Sequence, residues 1–335
     1  MFVWYSWKNP WPYFFLFRKW NSVLNLVIHF QKKVSLNIGI GQGSVIGPLL
    51  FLFYIKDLPN ISQLLNTILF ADDTTLYLSE KNNSDAVQCL NYELRKFYNW
   101  FCSNRISVNF DKTYFIKFST ADHSINSGIN VTFHDKSVLH LNHGKFLGVH
   151  FDSRISFKTH VTYISSKVSK TIWIFYKVFP FLPYSVRINL YYALFYPYLT
   201  YSNLTWGGIP QTNLQPLYLL QKKVVRLICG EHYLAHTNAL FYRAKILKLR
   251  DIHFYFLCLH FHSHSNDFER HSHGYATRHR DDVVPEFQRL NLTQRSLKYA
   301  APKAWNSLPV SLRYINSYDK FKRVLKAYII EKYVT

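Results

Sequence analysis

The stretch from Thr67 to Leu78 constrains the fold more than any other part of the chain. β-Branched and aromatic residues flank Ala71-Asp72-Asp73-Thr74 on both sides, which predicts a β-hairpin with two adjacent carboxylates at its tip. Asp is common in ordinary turns, so the pair alone is a weak sign of chemistry. Adjacent carboxylates on a turn can nevertheless bind Mg²⁺, which takes its other ligands from water and substrate phosphates.

The charge of the chain indicates an anionic partner. The 335 residues include 40 Lys and Arg against 19 Asp and Glu, a formal net charge of +21. Phosphate backbones are the commonest partner of such proteins, and a solvated basic surface is the alternative. The four cysteines form no CxxC pair, which favours an intracellular protein of the nucleus or cytoplasm that is not secreted. No apolar run reaches about 18 residues, so no membrane partner is expected.

Further elements follow from periodicity and from turn residues. Pro48 predicts the start of a helix that is apolar nearly all round and therefore buried. Ser84 and Asp85 predict the start of a second helix. A strand is expected from Ser107 to Ser119, and a second hairpin from Gly144 to Phe151.

The chain becomes helical from about Ser165. Leu214 to Cys229 has one apolar face and ends before Gly230, a residue that commonly terminates helices. Tyr318 to Tyr333 predicts a basic amphipathic helix. Between them, residues 251–285 read as a His-rich polar linker.

Four blocks of the chain resemble, in order and separation, those of non-LTR retrotransposon reverse transcriptases of the LINE, jockey-like kind. The blocks are Gly39 to Phe51 with Asp57-Leu58-Pro59, Phe70 to Thr74, Trp100-Phe101 with Val108-Asn109 and Lys112-Thr113, and Lys145 to Val149 with Phe151-Asp152. Several blocks in register are far more specific than any one of them. A weaker resemblance continues to the C-terminus.

The resemblance implies an α+β fold, in which an antiparallel palm sheet with packed helices precedes a mainly helical thumb and C-terminal region. The expected division is residues 1–38 as a truncated or atypical remnant, 39–120 as a partial palm, 121–165 as the primer-grip hairpin region, 166–250 as a thumb-like domain, 251–285 as the linker and 286–335 as a basic helical region.

The resemblance also implies Mg²⁺-dependent nucleotidyl transfer with an RNA template, a DNA primer and dNTP as partners. Asp72 and Asp73 would bind the metal, and Lys112 would protonate or steady the leaving pyrophosphate, a basic strand end being the alternative. Template and nucleotide contacts would come from Gln42, Gly43, Ser44, Phe70 and Ala71. The primer end would be held by Lys145, Phe146, Leu147 and Gly148.

Two departures from the family pattern bear on activity. Gly41 stands where the family usually has proline. More severely, the family's palm begins with a strand that bears a further metal-binding Asp, whereas no acidic residue precedes Asp57 here. A fingers segment of about a hundred residues or more also cannot fit before Gly41. We therefore expect a truncated start and a chain that is inactive alone.

Other functions remain open at this point. A basic nucleic-acid-binding remnant without chemistry is the main alternative. An unused pseudogene product that aggregates through an open strand edge is a third. Alternating histidines could suggest a metal site, but we expect them to be solvated; they are His260, His262, His264, His271, His273 and His279.

Overall fold

The computed structural model describes the backbone of residues 2–7 and all of residues 44–80, 82–119, 130–268 and 282–334. Two compact units divide the chain. We call residues 1–144 with 152–154 the sheet unit, and residues 145–151 with 155–335 the helical unit. Helices and small sheets are both present, as expected for an α+β chain. The finer six-part division remains a prediction.

The strands of the sheet unit are β1 (Phe2–Trp7), β2 (Asn66–Phe70), β3 (Asp73–Tyr77), β4 (Val108–Ile116), β5 (Thr132–Phe133), β6 (Lys136–Ser137) and β7 (Leu139–His140). Five of them form one sheet in the order β2-β3-β1-β4-β7, and β5 and β6 form a separate two-stranded sheet. β1 pairs antiparallel with both β3 and β4, and β7 runs parallel to β4. The first residues of the chain thus supply the middle strand, which the sequence pattern did not predict.

Two helices accompany this sheet, α1 (Gly47–Ile55) and α2 (Asn83–Ser103). The α2 side chains Leu90, Leu94 and Phe97 are fully buried in a core that they share with Leu76 and Phe115 of the strands. Their spacing of three to four residues places them on one face of the helix. α2 therefore covers one face of the sheet.

The cap of α2 lies slightly before the predicted start. Asn82 is the capping residue, and its side-chain oxygen accepts a hydrogen bond from the Ser84 N–H at 3.4 Å. Ser84 and Asp85 lie within the first turn of the helix.

The prediction that α1 is buried was wrong. Leu49, Leu52 and Phe53 are each half exposed or more, and Ile55 is the buried residue of this helix. A helix that is apolar all round has no polar face to direct its packing, so it needs cover on every side. Within the described residues, other side chains bury α1 only at its C-terminal residue, Ile55.

The helical unit begins with a hairpin of β8 (His143–Phe146) and β9 (Val149–Asp152), whose outer ends belong to the sheet unit. Helices follow it. They are α3 (Lys158–Val178), α4 (Tyr184–Leu190), α5 (Tyr196–Thr200), α6 (Asn203–Trp206), α7 (Gln211–Cys229), α8 (Thr237–Ala244), α9 (Leu249–Ser263), α10 (Leu297–Asn306), α11 (Val310–Arg313) and α12 (Tyr318–Glu331). A π-helical turn, Tyr191–Phe195, joins α4 to α5.

Helix α7 is the central element of this unit and confirms the predicted helix. Gly230 ends it in the left-handed conformation with φ 69°, which glycine adopts without steric cost. The fully buried amide of Gln221 joins neighbouring segments: its nitrogen donates to Leu247 O at 2.9 Å and to Tyr191 Oη at 3.1 Å, and its oxygen accepts from Leu249 N–H at 2.8 Å.

The predicted linker at 251–285 was wrong over its first half. Residues 251–263 lie in α9, whose buried side chains include Ile252, Cys258 and Phe261. His262 is only partly exposed: it stacks on Phe321, and its Nε2 lies 2.7 Å from Ile315 O in a hydrogen bond. Alternating histidines suggested a loop, but the apolar residues between them are buried in the helical core. His271, His273 and His279 lie outside the described residues.

None of the helices in the described ranges is both long and apolar enough to cross a membrane.

Candidate active site

The carboxylate pair lies at the tip of a β-hairpin, as predicted, with Asp72 on the turn and Asp73 at the start of the second strand. β2 and β3 pair as far as Phe70 and Asp73, so Ala71 and Asp72 alone form the connection. Ala71 has φ 49°, and the tightest hairpin turns require such a left-handed residue. This conformation costs a non-glycine residue about 1 kcal/mol or more, which the flanking strands must offset.

The two carboxylates differ in their surroundings. Asp72 is exposed, whereas Asp73 begins β3 and is half-buried. Burial raises the pKa of Asp73, the neighbouring Asp72 charge raises it further, and Lys112 lowers it. Two negative oxygen groups held this close repel each other, and a divalent cation between them would relieve that repulsion.

Lys112 extends from the exposed part of β4 and is close enough to Asp73 to stabilise its negative charge. Lys112 thus acts on Asp73 through its charge, and the assignment of all three residues to catalysis remains a prediction. β1 lies between β3 and β4 in the sheet. Its sequence, Phe2–Trp7, contains no acidic residue.

The structure describes only some of the residues that were predicted to contact the template and nucleotide. Gln42 and Gly43 lie outside the described residues. Ser44 precedes α1, and its carbonyl accepts a 3.4 Å hydrogen bond from Gly47 N–H. Phe70 and Ala71 flank the carboxylates, and Phe70 has 60% of its surface exposed. A large exposed aromatic residue beside the carboxylates offers a flat apolar contact to a base or sugar.

Two of the family-like blocks join in the core of the sheet unit. The Asp57 carboxylate accepts a 3.0 Å hydrogen bond from Trp100 Nε1. The next residues, Leu58 and Phe101, are buried in the same cluster. Asp57 and Trp100 therefore support the architecture beneath the hairpin.

The predicted primer-grip residues form the turn between β8 and β9. Leu147 and Gly148 have φ values of 43° and 85°, a turn with two left-handed residues. Lys145 is exposed at the end of β8, and the rings of Phe146 and Phe151 are 6.4 Å apart.

Tyr201 is a supporting residue that motif reasoning missed. Its hydroxyl donates a 2.5 Å hydrogen bond to Leu147 O. A Cβ at Gly148 would lie 3.2 Å from the Tyr201 ring, so the glycine is favoured both by its backbone conformation and by this close approach. Tyr201 follows the Tyr196-Pro197-Tyr198 segment, but its partner is 54 residues away along the chain and no local pattern indicates it.

The donor set at the carboxylate turn fits part of a magnesium site. Two hard oxygen groups, one of them exposed, suit Mg²⁺ when phosphates and water complete its shell. No cluster of three or more His, Cys, Asp or Glu suited to a metal occurs within the residues that the structure describes. The alternating histidines form no such site there either.

Comparisons with known proteins agree with the motif blocks. A model of the family described as reverse transcriptase (RNA-dependent DNA polymerase) matches residues 10–151. The chain is 27% identical over 254 residues to a probable RNA-directed DNA polymerase from transposon X-element of Drosophila melanogaster. This alignment covers 72% of this chain and 28% of that protein.

Two further relatives are RNA-directed DNA polymerases from mobile element jockey. The Drosophila melanogaster protein is 25% identical over 226 residues, and the Drosophila funebris protein is 25% identical over 224 residues. Each alignment covers 64% of this chain and 24% of the relative. The chain thus spans about a quarter of the length of the curated relatives it matches. The family-model match over residues 10–151, these relatives and the four motif blocks together support a reverse transcriptase of the jockey-like, non-LTR retrotransposon type.

Proposed function

We propose that the sheet unit is the metal-binding part of a reverse-transcriptase palm. The observation that carries this proposal is the adjacent pair Asp72 and Asp73 at the tip of a hairpin, with the charge of Lys112, from the same sheet, acting on Asp73. Asp72, the more exposed carboxylate, would be the principal Mg²⁺ ligand, and Asp73 would support it. Bound magnesium would stabilise the attacking 3′-oxygen and the leaving pyrophosphate.

Lys112 has two tasks in this proposal. Before substrate binds, its positive charge partly offsets the repulsion between the two carboxylates. With substrate present, it would stabilise charge on the pyrophosphate oxygens or give them a proton. The turn at Leu147 and Gly148, supported by Tyr201, would hold the primer end through its shape.

We further propose that the 335-residue chain alone does not extend primers. A two-ion site needs a further carboxylate, and β1, the strand next to β3, has none. No acidic residue precedes Asp57 anywhere in the chain. Two carboxylates from one turn leave the ions short of ligands, even though the sheet around them is formed.

Primer extension on an RNA template, with Mg²⁺ and dNTP, tests both statements. We expect no product above background for the unmodified chain. Product that disappears in Asp72→Ala, but persists in the matched control Asp135→Ala on the β5–β6 turn, would show an active chain and refute the second statement.

Metal binding tests the first statement separately. We expect titration with Mg²⁺ or Mn²⁺ to report weak binding that Asp72→Asn abolishes and Asp135→Asn preserves. Equal binding by both variants would place the ion elsewhere.

A nucleic-acid-binding role without chemistry is the second candidate function. The net charge of +21 favours it. Salt-dependent RNA binding that is unaffected by Asp72→Ala, together with no metal binding at the turn, would favour this role over the first.

A further inference from the structure

A cavity of about 980 Å³ lies within the helical unit, among α7, α9, α10 and α12. It is lined by five basic side chains and a single acidic one. The basic residues are Lys248, Arg250, Arg295, Lys303 and Lys332, and the acidic residue is Asp251. We call this cavity the basic groove. It shares no residue with the carboxylate turn.

Asp251 offsets only part of the positive charge of the basic groove, near Lys248. None of its five basic groups forms a salt bridge within the described part of the chain. The Asp251 carboxylate instead accepts a 2.5 Å hydrogen bond from the Tyr333 hydroxyl. His253, which also lines the groove, adds no positive charge at neutral pH because burial lowers its pKa to about 4. Five like charges in one concave surface favour an anionic occupant.

Aromatic rings lie among these charges. The Lys248 ammonium is 3.9 Å from the centre of the Tyr333 ring, and the Lys303 ammonium is 5.6 Å from the centre of the Tyr299 ring. Burial lowers the pKa of Lys248, a tendency that Asp251 opposes. A partly desolvated ammonium group would gain more from a phosphate than a fully hydrated one.

The mixture of cations and rings distinguishes between anionic occupants. An inorganic anion would use the cations alone, whereas a strand with exposed bases would also use the partly exposed Tyr299 ring, because bases stack on aromatic side chains. A double helix keeps its bases stacked inside and would use the phosphate contacts alone. The groove has a volume that suits a bound nucleotide-sized group.

We propose that the basic groove binds single-stranded nucleic acid, with phosphates at Arg250, Lys303 and Lys332 and a base against Tyr299. This site would act independently of the carboxylate turn and would give the C-terminal helices a binding function of their own. RNA and DNA single strands share the chemistry that it recognises.

Fluorescence anisotropy of the full chain with labelled single-stranded RNA, single-stranded DNA and duplex DNA tests the proposal. The groove variant combines R250Q, K303Q and K332Q. The control variant combines K223Q, K320Q and K322Q, which removes the same charge from exposed positions of the helical unit outside the groove.

We expect the groove variant to bind single strands roughly tenfold more weakly than the control variant. Its slope of log K against log salt should be smaller by about 2, because each lost phosphate contact changes that slope by about 0.7 for a single strand. A difference in affinity between single-stranded RNA and single-stranded DNA would show which of the two the groove prefers. Preference for either one would support the proposal.

Stacking is tested by Tyr299→Leu with Tyr233→Leu as its control, since Tyr233 is 72% exposed and lies outside the groove. We expect the first variant alone to weaken single-strand binding. Equal losses in the groove and control charge variants, or equal affinity for duplex and single strands, would overturn the proposal.

Two further measurements keep the outcome clear. If the groove variant fails to fold, hydrogen exchange on the unmodified chain should show protection of residues 248–254 and 297–304 when single-stranded RNA is added, and no protection there would overturn the proposal. Asp72→Ala should leave groove binding unchanged, so loss of metal binding at the turn and loss of strand binding in the groove are separable results.

Discussion

The carboxylate turn is negatively charged and lies on a β-hairpin, whereas the basic groove is positively charged and lies among packed helices. Asp72 and Asp73 lie at the tip of a two-stranded hairpin at one edge of a sheet, where Ile68 and Phe70 are also partly exposed. The groove residues lie on, or at the ends of, helices that share a large core, including Leu217 of α7. The turn is therefore placed by backbone pairing, whereas the groove is placed by side-chain packing.

This difference has a physical consequence for how each site tolerates change. Strand register determines where a hairpin tip lies, so substitutions on the turn affect charge more than structure. Packed helices depend on volume and on satisfied polar groups, so losses in the core spread to every surface residue on those helices. The predictions below test that contrast from the largest expected effect to the smallest.

Matched leucine truncations compare the two cores directly. Leu94 of α2 and Leu217 of α7 are both fully buried. We expect Leu217→Ala to lower the free energy of unfolding of the helical unit by about 3–5 kcal/mol and Leu94→Ala to lower that of the sheet unit by about 2–4 kcal/mol. Hydrogen exchange of the buried amides, followed separately in each unit, measures both free energies of unfolding. A larger loss for Leu94→Ala would reverse the comparison.

Replacing the buried amide in α7 should be nearly as costly. Gln221→Leu leaves the Leu249 N–H and the Leu247 carbonyl without their partner, which we expect to cost about 2–3 kcal/mol. Gln215→Leu, an exposed position on the same helix, is the matched control. Thermal unfolding of the two variants checks this, and equal melting temperatures would show that the amide contributes little.

Acid should weaken the helical unit before it weakens the turn. Burial lowers the pKa values of His160 and His253 to about 4. Between about pH 6.5 and 4 the unfolded chain therefore binds protons that these folded histidines do not, and stability falls as pH falls through that window. We expect a loss on the order of 2 kcal/mol for each histidine.

Unfolding experiments at pH 7 and pH 4.5 measure this loss. His160→Gln should reduce the pH dependence, because glutamine does not titrate, and the exposed His236→Gln should leave it unchanged. The same pH dependence in both variants would contradict the assignment to His160.

The turn itself should respond weakly and in the opposite direction. Because burial and Asp72 raise the pKa of Asp73, the folded chain holds this proton more tightly than the unfolded chain, and stability falls as pH rises through the acidic range. Asp73→Asn should therefore stabilise the sheet unit at neutral pH by about a few tenths of a kcal/mol. A measurable loss of stability, with Asp135→Asn unchanged, would mean that the ionised carboxylate has a structural partner.

Local patterns predicted the elements whose contacts are close in sequence. The β2–β3 hairpin and α7 follow from turn residues and apolar spacing, and the grouping of Lys112 with the carboxylates by the sequence motifs remains a prediction. β1 could not be predicted, because its strand pairing depends on partners far along the chain. Histidines in α9 concealed a buried helix, and Tyr201 gave no local sign of its bond to Leu147.

The central place of β1 determines the order in which the sheet can be completed during synthesis. Phe2 pairs with Tyr77 on one side and with Ile116 on the other. Because β1 precedes both of its neighbours in the chain, it must stay available while they are still being translated. The β2–β3 hairpin can close early from adjacent residues, but β1 can gain its second neighbour only after β4 has left the ribosome, and such distant pairing is slow. Ribosome-bound chains that stop before residue 108 would carry a finished carboxylate turn on an unfinished sheet.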